Sequence, residues 1–170
     1  MKLRLDKSNI LYYASQYADD DTPIENLVHE VKKKRYLKTP ELLELSDWKA
    51  GIRNRHYIIK NRDSVIEEMT NLSLTAETEE ARINCLRCLA GVELPVASAI
   101  LHWFHNDDYP IYDFRALETI SFKKNHYKNW FDGWKDYISF CRRIAEENDI
   151  DMRTLDRALW QYSKEKGLHK

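Results

Sequence analysis

Residues Leu86 to Leu117 read L-R-C-L-A-G-V-E-L-P-V-A-S-A-I-L-H-W-F-H-N-D-D-Y-P-I-Y-D-F-R-A-L, and this stretch is the most informative part of the sequence. The residues before Gly91 have the pattern of a helix end. Leu94 to Phe104 then carries apolar residues at the i, i+3, i+4, i+7 spacing of a second helix. Because only a short connection with one glycine separates the two patterns, the stretch predicts a helix-hairpin-helix over about 79–104.

The connection and the segment after the second helix both favour a polar ligand. A turn that contains glycine presents successive backbone N–H groups, and the second helix adds the positive end of its dipole, which suits a phosphate group. A loop over 105–113 follows, in which Pro110 holds the residue before it extended. It ends in Asp113, at the start of a helix expected to reach about Phe122.

This segment resembles the core of the endonuclease III superfamily of DNA glycosylases, with its pattern L-P-G-V-G-x-K-T-A-x-x-x-L followed by a catalytic Asp and a helix. Residues 89–93 stand where the family has L-P-G-V-G, and Ala97 and Leu101 stand at the family Ala and Leu. Asp113 falls at the catalytic Asp without an insertion. The resemblance implies an all-α, glycosylase-like helical fold of two small lobes, forming one domain over 1–170.

The resemblance also implies an activity, the hydrolysis of the N-glycosidic bond of a damaged or mismatched base in double-stranded DNA, as in base excision repair. Asp113 would activate water or stabilise the positive charge that develops on the sugar. Pro95 stands where bifunctional relatives carry a lysine, so the enzyme would be monofunctional. Gly91, Val92 and Leu94 would hold a phosphate of the DNA backbone.

Two further groups of residues are expected at the DNA. Residues 48–57 interleave basic residues, a glycine and aromatics, which suits the family's wedge loop or the rim of its pocket. The expected DNA contacts in this stretch are Lys49, Arg53 and Arg55. A flipped base usually stacks on aromatic rings, and the expected pocket consists of Trp48, Trp103, Tyr109 and Tyr112. The alternative is that Trp48 and Tyr57 lie in the core and the arginines only extend to solvent.

A second function remains open on the same residues. Asp113 also suits a plain helix N-cap, a role that is compatible with catalysis because a cap holds the carboxylate rigidly. Glu93 replaces the second glycine of the family hairpin, and its charge would repel a phosphate. The alternative function is therefore a non-catalytic helix-hairpin-helix module that binds DNA or a protein partner.

The composition favours an all-α protein and limits the partners. The chain of 170 residues has 4 Gly and 4 Pro, and its net charge of −1 argues against strong non-specific DNA binding unless a local basic face exists. Its three cysteines are too few for the iron–sulfur cluster of many glycosylases, and His102-x-x-His105 with Asp107 and Asp108 is too weak a pattern to predict a metal, so we expect neither metal nor cofactor. Without a signal peptide or a membrane-spanning run, the protein is expected in the cytoplasm and not in a membrane.

Apolar periodicity and capping signals predict nine helices, over about 8–17, 22–35, 39–48, 63–72, 79–89, 94–104, 114–122, 130–147 and 151–166. Thr22 and Thr39, each followed by proline, are expected as N-caps. The basic run 32–35 is expected to match the negative end of its helix dipole. Residues 123–129 form a second basic stretch, expected as a polar loop.

Overall fold

The structure, a computed structural model, describes residues 1–167, and no strand occurs among them. The helices are α1 (Ile10–Ser15), α2 (Thr22–Lys34), α3 (Thr39–Ala50), α4 (Arg55–Ile58), α5 (Asp63–Thr75), α6 (Glu79–Arg87), α7 (Leu94–Phe104), α8 (Phe114–Thr119), α9 (Trp130–Glu147) and α10 (Met152–Lys166). Three 3₁₀ turns accompany them, at Lys7–Asn9, Ile52–Asn54 and Lys124–His126. The predicted all-α class is confirmed, and the short helix α4 is an element that the periodicity did not predict.

The chain divides into two compact units. Residues 20–107 form the first, which we call the hairpin unit because it contains α6 and α7. Residues 1–19 and 108–167 form the second, which we call the Asp113 unit. The predicted phosphate-binding turn and the predicted catalytic carboxylate therefore belong to different units.

Helix α7 is the central element of the hairpin unit. Its sequence is almost entirely apolar, and the run from Val96 to Leu101 is buried. A helix that is apolar on all sides must be covered on all sides, and α7 packs against α2, α3 and α6. The hairpin turn is thus attached to the most buried helix of its unit, which holds the turn in place.

The two predicted threonine caps are wrong by one residue. The N-cap of α2 is Asp21 and the N-cap of α3 is Lys38, so both threonines are the first helical residue and both prolines the second. In α3 the Glu41 carboxylate accepts the Lys38 N–H at 2.7 Å, which satisfies a donor that the helix leaves without a partner. Proline fits this second position equally well, because its N–H would have no intrahelical partner there either.

The Asp113 unit is built around α9 and α10. Trp134 and Tyr137 of α9 are fully buried, and α10 packs against α1, α8 and α9. Helix α8 ends at Thr119, three residues earlier than predicted, because Ser121 adopts a left-handed φ of +53°. The N–H of Phe122 then donates to the carbonyl of Leu117 at 2.9 Å, as in a Schellman C-cap.

Candidate nucleic-acid interface and carboxylate site

The hairpin turn depends on glycine at position 91. Gly91 has a φ of +82°, in the left-handed region that residues with a Cβ avoid, and the Val92 N–H closes the turn by donating to the Leu89 carbonyl at 3.1 Å. A Cβ at Gly91 would lie 3.0 Å from Tyr57 Cβ and 3.1 Å from the backbone nitrogen of Ile58. The missing side chain therefore permits both the turn and its close packing on α4.

Asn61 holds the same turn from the side. Its Nδ2 donates to the Ala90 carbonyl at 3.0 Å, and its Oδ1 accepts the Ala90 N–H at 2.9 Å. The Nδ2 also donates to the Ile58 carbonyl at 2.8 Å, so the amide joins the end of α4 to the hairpin. Sequence reasoning missed this residue, because nothing in a sequence marks a partner 29 positions away.

The start of α7 offers a limited set of N–H donors. The first intrahelical bond runs from Ala97 N–H to the Glu93 carbonyl at 2.9 Å, and the N–H groups of Leu94 and Val96 precede it without intrahelical partners. Pro95 has no N–H. Val92 was predicted to bind phosphate, but it is buried and its N–H is used inside the turn, so that prediction is wrong.

Glu93 is the N-cap residue of α7 and points away from the core. Its side chain is 81% exposed, and its carboxylate lies 3.5 Å from the guanidinium of Arg87 at the end of α6. Because the pair is solvent-exposed, the ionic attraction is weak and compensates the negative charge only in part. The structure thus has an exposed negative charge at the start of α7, which a neighbour in the same hairpin partly compensates.

A basic segment lies directly against the hairpin. Residues 49–62 contain five Lys and Arg and no Asp or Glu, although the whole chain has a net charge of −1. Tyr57 and Ile58 in the middle of this segment are the residues that contact Gly91. The segment therefore places a local positive charge beside the predicted phosphate-binding turn, within one unit.

The three predicted DNA contacts in this segment differ in their surroundings. Arg53 is exposed, while Lys49 is half-buried. Arg55 is exposed as well, but its Nε donates to an Asp47 carboxylate oxygen at 2.6 Å. This bond raises the pKa of Arg55 and keeps the guanidinium charged, but it also compensates that charge locally. Of the two exposed arginines, Arg53 is thus the one whose charge no described ion pair compensates.

Apolar side chains between these cations are also exposed. Ile52 is 74% exposed and Ile59 is 63% exposed. The Lys60 ammonium lies over the Tyr57 ring, 5.1 Å from its centroid, in a cation–π contact. Trp48, immediately before the basic segment, makes an edge-to-face contact with Trp103 at 5.9 Å between ring centroids, and both residues are half-buried. The structure therefore brings two of the four predicted pocket aromatics together.

A cleft of about 520 Å³ has Trp48 in its wall. It is lined by Pro23, Pro40, Leu43, Glu44, Asp47, Trp48 and Arg55. Its volume lies in the range of small-molecule sites, and its walls are mostly apolar with a few charged groups. Two predicted site residues, Trp48 and Arg55, line this cleft, which the sequence alone did not indicate.

The other two predicted pocket aromatics lie in the Asp113 unit. Tyr109 is fully buried and stacks on Trp134, with ring centroids 6.3 Å apart and planes 8° from parallel. It has no exposed surface on which a base could stack, so its prediction as a pocket residue is corrected to core packing. Tyr112 is half-buried and contacts Phe122 and Tyr137 edge to face, and burial raises the pKa of its phenol.

Asp113 is the N-cap of α8. Its backbone is extended, with φ −118° and ψ 138°, and its carboxylate accepts the Arg115 N–H at 2.8 Å. The residue is only 9% exposed. The Tyr137 hydroxyl donates to the Ile111 carbonyl at 2.8 Å and so fixes the segment that leads to Asp113. The predicted capping role is therefore present in the structure.

Tyr137 also responds to the charges around it. Burial raises its pKa well above the usual value, and the nearby groups Cys141, Asp156 and Asp113 raise it further. The phenol consequently stays protonated and remains a hydrogen-bond donor at any pH at which the protein functions. This buried donor holds the backbone two residues before Asp113.

The histidine and cysteine patterns have structural explanations. His105 is buried, and its Nδ1 accepts the Asp107 N–H at 2.9 Å, while the Asp107 carboxylate pairs with Arg82 at 2.8 Å. Cys85, Cys88 and Cys141 are free thiols, and burial raises the pKa of Cys85 and Cys141. Within residues 1–167, no three His, Cys, Asp or Glu side chains are grouped so that they could hold a metal ion.

The predicted site residues thus form two groups. The hairpin unit contains Gly91, Leu94, the basic segment and the Trp48–Trp103 pair, and the Asp113 unit contains Asp113 with Tyr112.

No helix in the described part of the chain has the length and apolarity required to cross a membrane. Comparisons of the chain with protein-family models, with curated proteins and with solved structures found no match.

Proposed function

We propose that this protein binds double-stranded DNA through its hairpin unit and hydrolyses the N-glycosidic bond of a damaged or mismatched base. The observation that carries the proposal is the packing of the Gly91 turn on the basic segment 49–62, which has five cations and no carboxylate. A helix start that presents N–H groups binds one phosphate, and cations beside it bind the adjacent phosphates. The near-neutral chain thereby has a local positive surface at the place where the DNA backbone would lie.

The proposed chemistry belongs to Asp113. Cleavage of an N-glycosidic bond builds positive charge on the sugar, and one rigid carboxylate stabilises that charge or activates the attacking water. The bond from the Arg115 N–H orients the Asp113 carboxylate before any substrate arrives. Pro95 stands where bifunctional glycosylases carry a lysine, so the proposed enzyme releases the base without forming a covalent intermediate.

Aromatic and apolar side chains complete the proposal. Within the hairpin unit, the half-buried Trp48 and Trp103 are candidates for stacking on a base, and within the Asp113 unit the half-buried Tyr112 is one, whereas the fully buried Tyr109 is not. Ile52, which follows Gly51 and is 74% exposed, is the apolar side chain suited to filling the space that the base leaves in the duplex. Ile52 is too exposed for its side chain to serve mainly in packing, and this assignment gives it a role.

The first test is binding to a duplex with an abasic-site analogue, compared with an undamaged duplex across a salt series. We expect tighter binding to the analogue, with an affinity that falls as salt rises because phosphate contacts release counterions. The Asp113→Asn variant should bind as the wild type does but release no base, because asparagine retains the helix cap and cannot act as the carboxylate. Full base release by this variant would refute the mechanism.

One observation favours a second candidate, a non-catalytic DNA-binding module on the same scaffold. Glu93 keeps a carboxylate, 81% exposed, at the start of α7, where a tight phosphate grip is disfavoured. Such a module would bind duplex DNA with little preference for the abasic analogue and would release no base from any substrate tested. The same binding and release assays therefore separate the two functions.

A further inference from the structure

A second basic segment lies in the Asp113 unit and has no role in the site described above. Residues 119–131 contain no Asp or Glu, and they include Lys123, Lys124, His126 and Lys128, all of them exposed. None of the three lysines forms an ion pair with any residue between 1 and 167. We call residues 123–128 the lysine loop.

The fold holds the lysine loop in a defined place. On its N-terminal side, the Phe122 N–H donates to the Leu117 carbonyl at 2.9 Å and forms the Schellman cap of α8. Within the loop, the Tyr127 ring stacks on the Phe122 ring, with centroids 5.5 Å apart and planes 18° from parallel. Both rings lie against Gly133 of α9, where a Cβ would come within 3.1 Å of Tyr127. The lysines therefore extend from an anchored turn.

The same ring contacts connect the loop to the candidate carboxylate. Phe122 makes an edge-to-face contact with Tyr112 at 6.0 Å between centroids, and Tyr112 immediately precedes Asp113. Burial raises the pKa of Tyr127, and a hydrogen bond with Asp136 raises it further, so this phenol stays protonated as part of the anchor. The lysine loop is thus attached to the residue beside Asp113 through two aromatic contacts.

The lysine loop differs from the basic run at the end of α2 in that its lysines have no ion-pair partner among the described residues. The basic run at the end of α2 lies where the helix dipole is negative, and there Lys34 pairs with Glu41 at 2.6 Å. The lysine loop lies between the C-terminal end of α8 and the first turn of α9, which carries Asp132, and its three lysines form no ion pair with any described residue. Exposed lysines without an ion-pair partner are consistent with a surface that meets a polyanion.

We propose that the lysine loop binds the sugar–phosphate backbone of the duplex, as a contact in the Asp113 unit separate from that of the hairpin unit. The inference rests on the proposed DNA binding and extends it to residues that the resemblance did not assign. A backbone contact beside Asp113 would help to keep the target nucleotide within reach of the carboxylate. Trp130, at the end of the acid-free stretch and partly exposed, adds an indole that can lie against a sugar or a base.

The test is the salt dependence of binding to the abasic-analogue duplex by the triple variant Lys123→Gln, Lys124→Gln and Lys128→Gln. Each phosphate contact contributes about 0.9 to the slope of log affinity against log salt, so the slope should decrease in magnitude by about 2.7. Between 50 and 200 mM salt, the factor by which affinity falls should then be roughly 40 times smaller for the variant than for the wild type.

The matched control is Lys32→Gln, Lys33→Gln and Lys38→Gln, which removes the same charge from three other exposed lysines. Its slope should stay within about 0.5 of the wild-type slope, and circular dichroism should show that both variants are folded. An unchanged slope in the lysine-loop variant, or an equal change in the control, would overturn this inference while leaving the proposed function standing. Absence of salt-dependent duplex binding by the wild type would overturn both.

Discussion

Substitution of Gly91 by alanine tests whether the hairpin turn is built as described. The left-handed φ of +82° costs a residue with a Cβ roughly 1–2 kcal/mol. The new methyl group would also lie 3.0 Å from Ile58 Cγ1 and 3.1 Å from the Ile58 backbone nitrogen, and such overpacking costs about 1–3 kcal/mol because backbone cannot move aside easily. We therefore expect Gly91→Ala to lower the free energy of unfolding by about 2–5 kcal/mol.

The assay is urea unfolding followed by far-UV circular dichroism, with Gly167→Ala as the control. Gly167 also has a left-handed backbone, with φ +55° and ψ 37°, but a Cβ there would meet nothing within 4 Å. The control therefore carries backbone strain without overlap, and its loss of stability should be smaller by about 1–3 kcal/mol. Equal losses in the two variants would refute the close packing of the hairpin turn on α4.

Three smaller predictions concern single side chains. Asn61→Asp keeps the acceptor for the Ala90 N–H but removes the donor to the Ala90 and Ile58 carbonyls, and should lower the free energy of unfolding by about 1–3 kcal/mol in the same urea assay. An unchanged free energy of unfolding would mean that these bonds from Asn61 contribute nothing to stability. Glu93→Gln removes a negative charge at the start of α7 and should tighten duplex binding about threefold at low salt, because two unit charges about 6 Å apart in water interact by roughly 0.7 kcal/mol. Unchanged or weaker binding in a fluorescence-anisotropy titration would mean that the phosphate does not bind at the start of α7. Asp113→Ala should lower the free energy of unfolding by about 1 kcal/mol whereas Asp113→Asn should not, because only alanine removes the oxygen that caps α8. Equal free energies of unfolding for the two variants would argue against the capping bond.

The helices could be predicted because their signals are local. Apolar periodicity located α7 at Leu94–Phe104 and α9 at Trp130–Glu147 with the bounds that the structure shows. The side chains that form such a stripe are neighbours on one helix face, so a short window of sequence contains the whole pattern. Ends set by a left-handed residue were less predictable, as at Ser121, where serine has no strong preference for the conformation that it adopts.

The same distinction between local and distant contacts applies to the candidate site. Asp113 as a helix cap and glycine in the hairpin turn were both predictable, because each depends on residues within a few positions. The full burial of Tyr109 depends on stacking with Trp134, which is distant in the chain. Sequence pattern alone could not distinguish that ring from the half-buried Tyr112.

Sequence alone predicted the helical class, the position of the hairpin and the extended approach to Asp113, since these follow from propensity, periodicity and capping within short windows. That the hairpin turn packs on α4 and is held by Asn61 is known only from the tertiary structure. It also shows that Arg55 is compensated by Asp47. These contacts join residues distant in sequence, and their geometry depends on how whole helices pack, which no local pattern records.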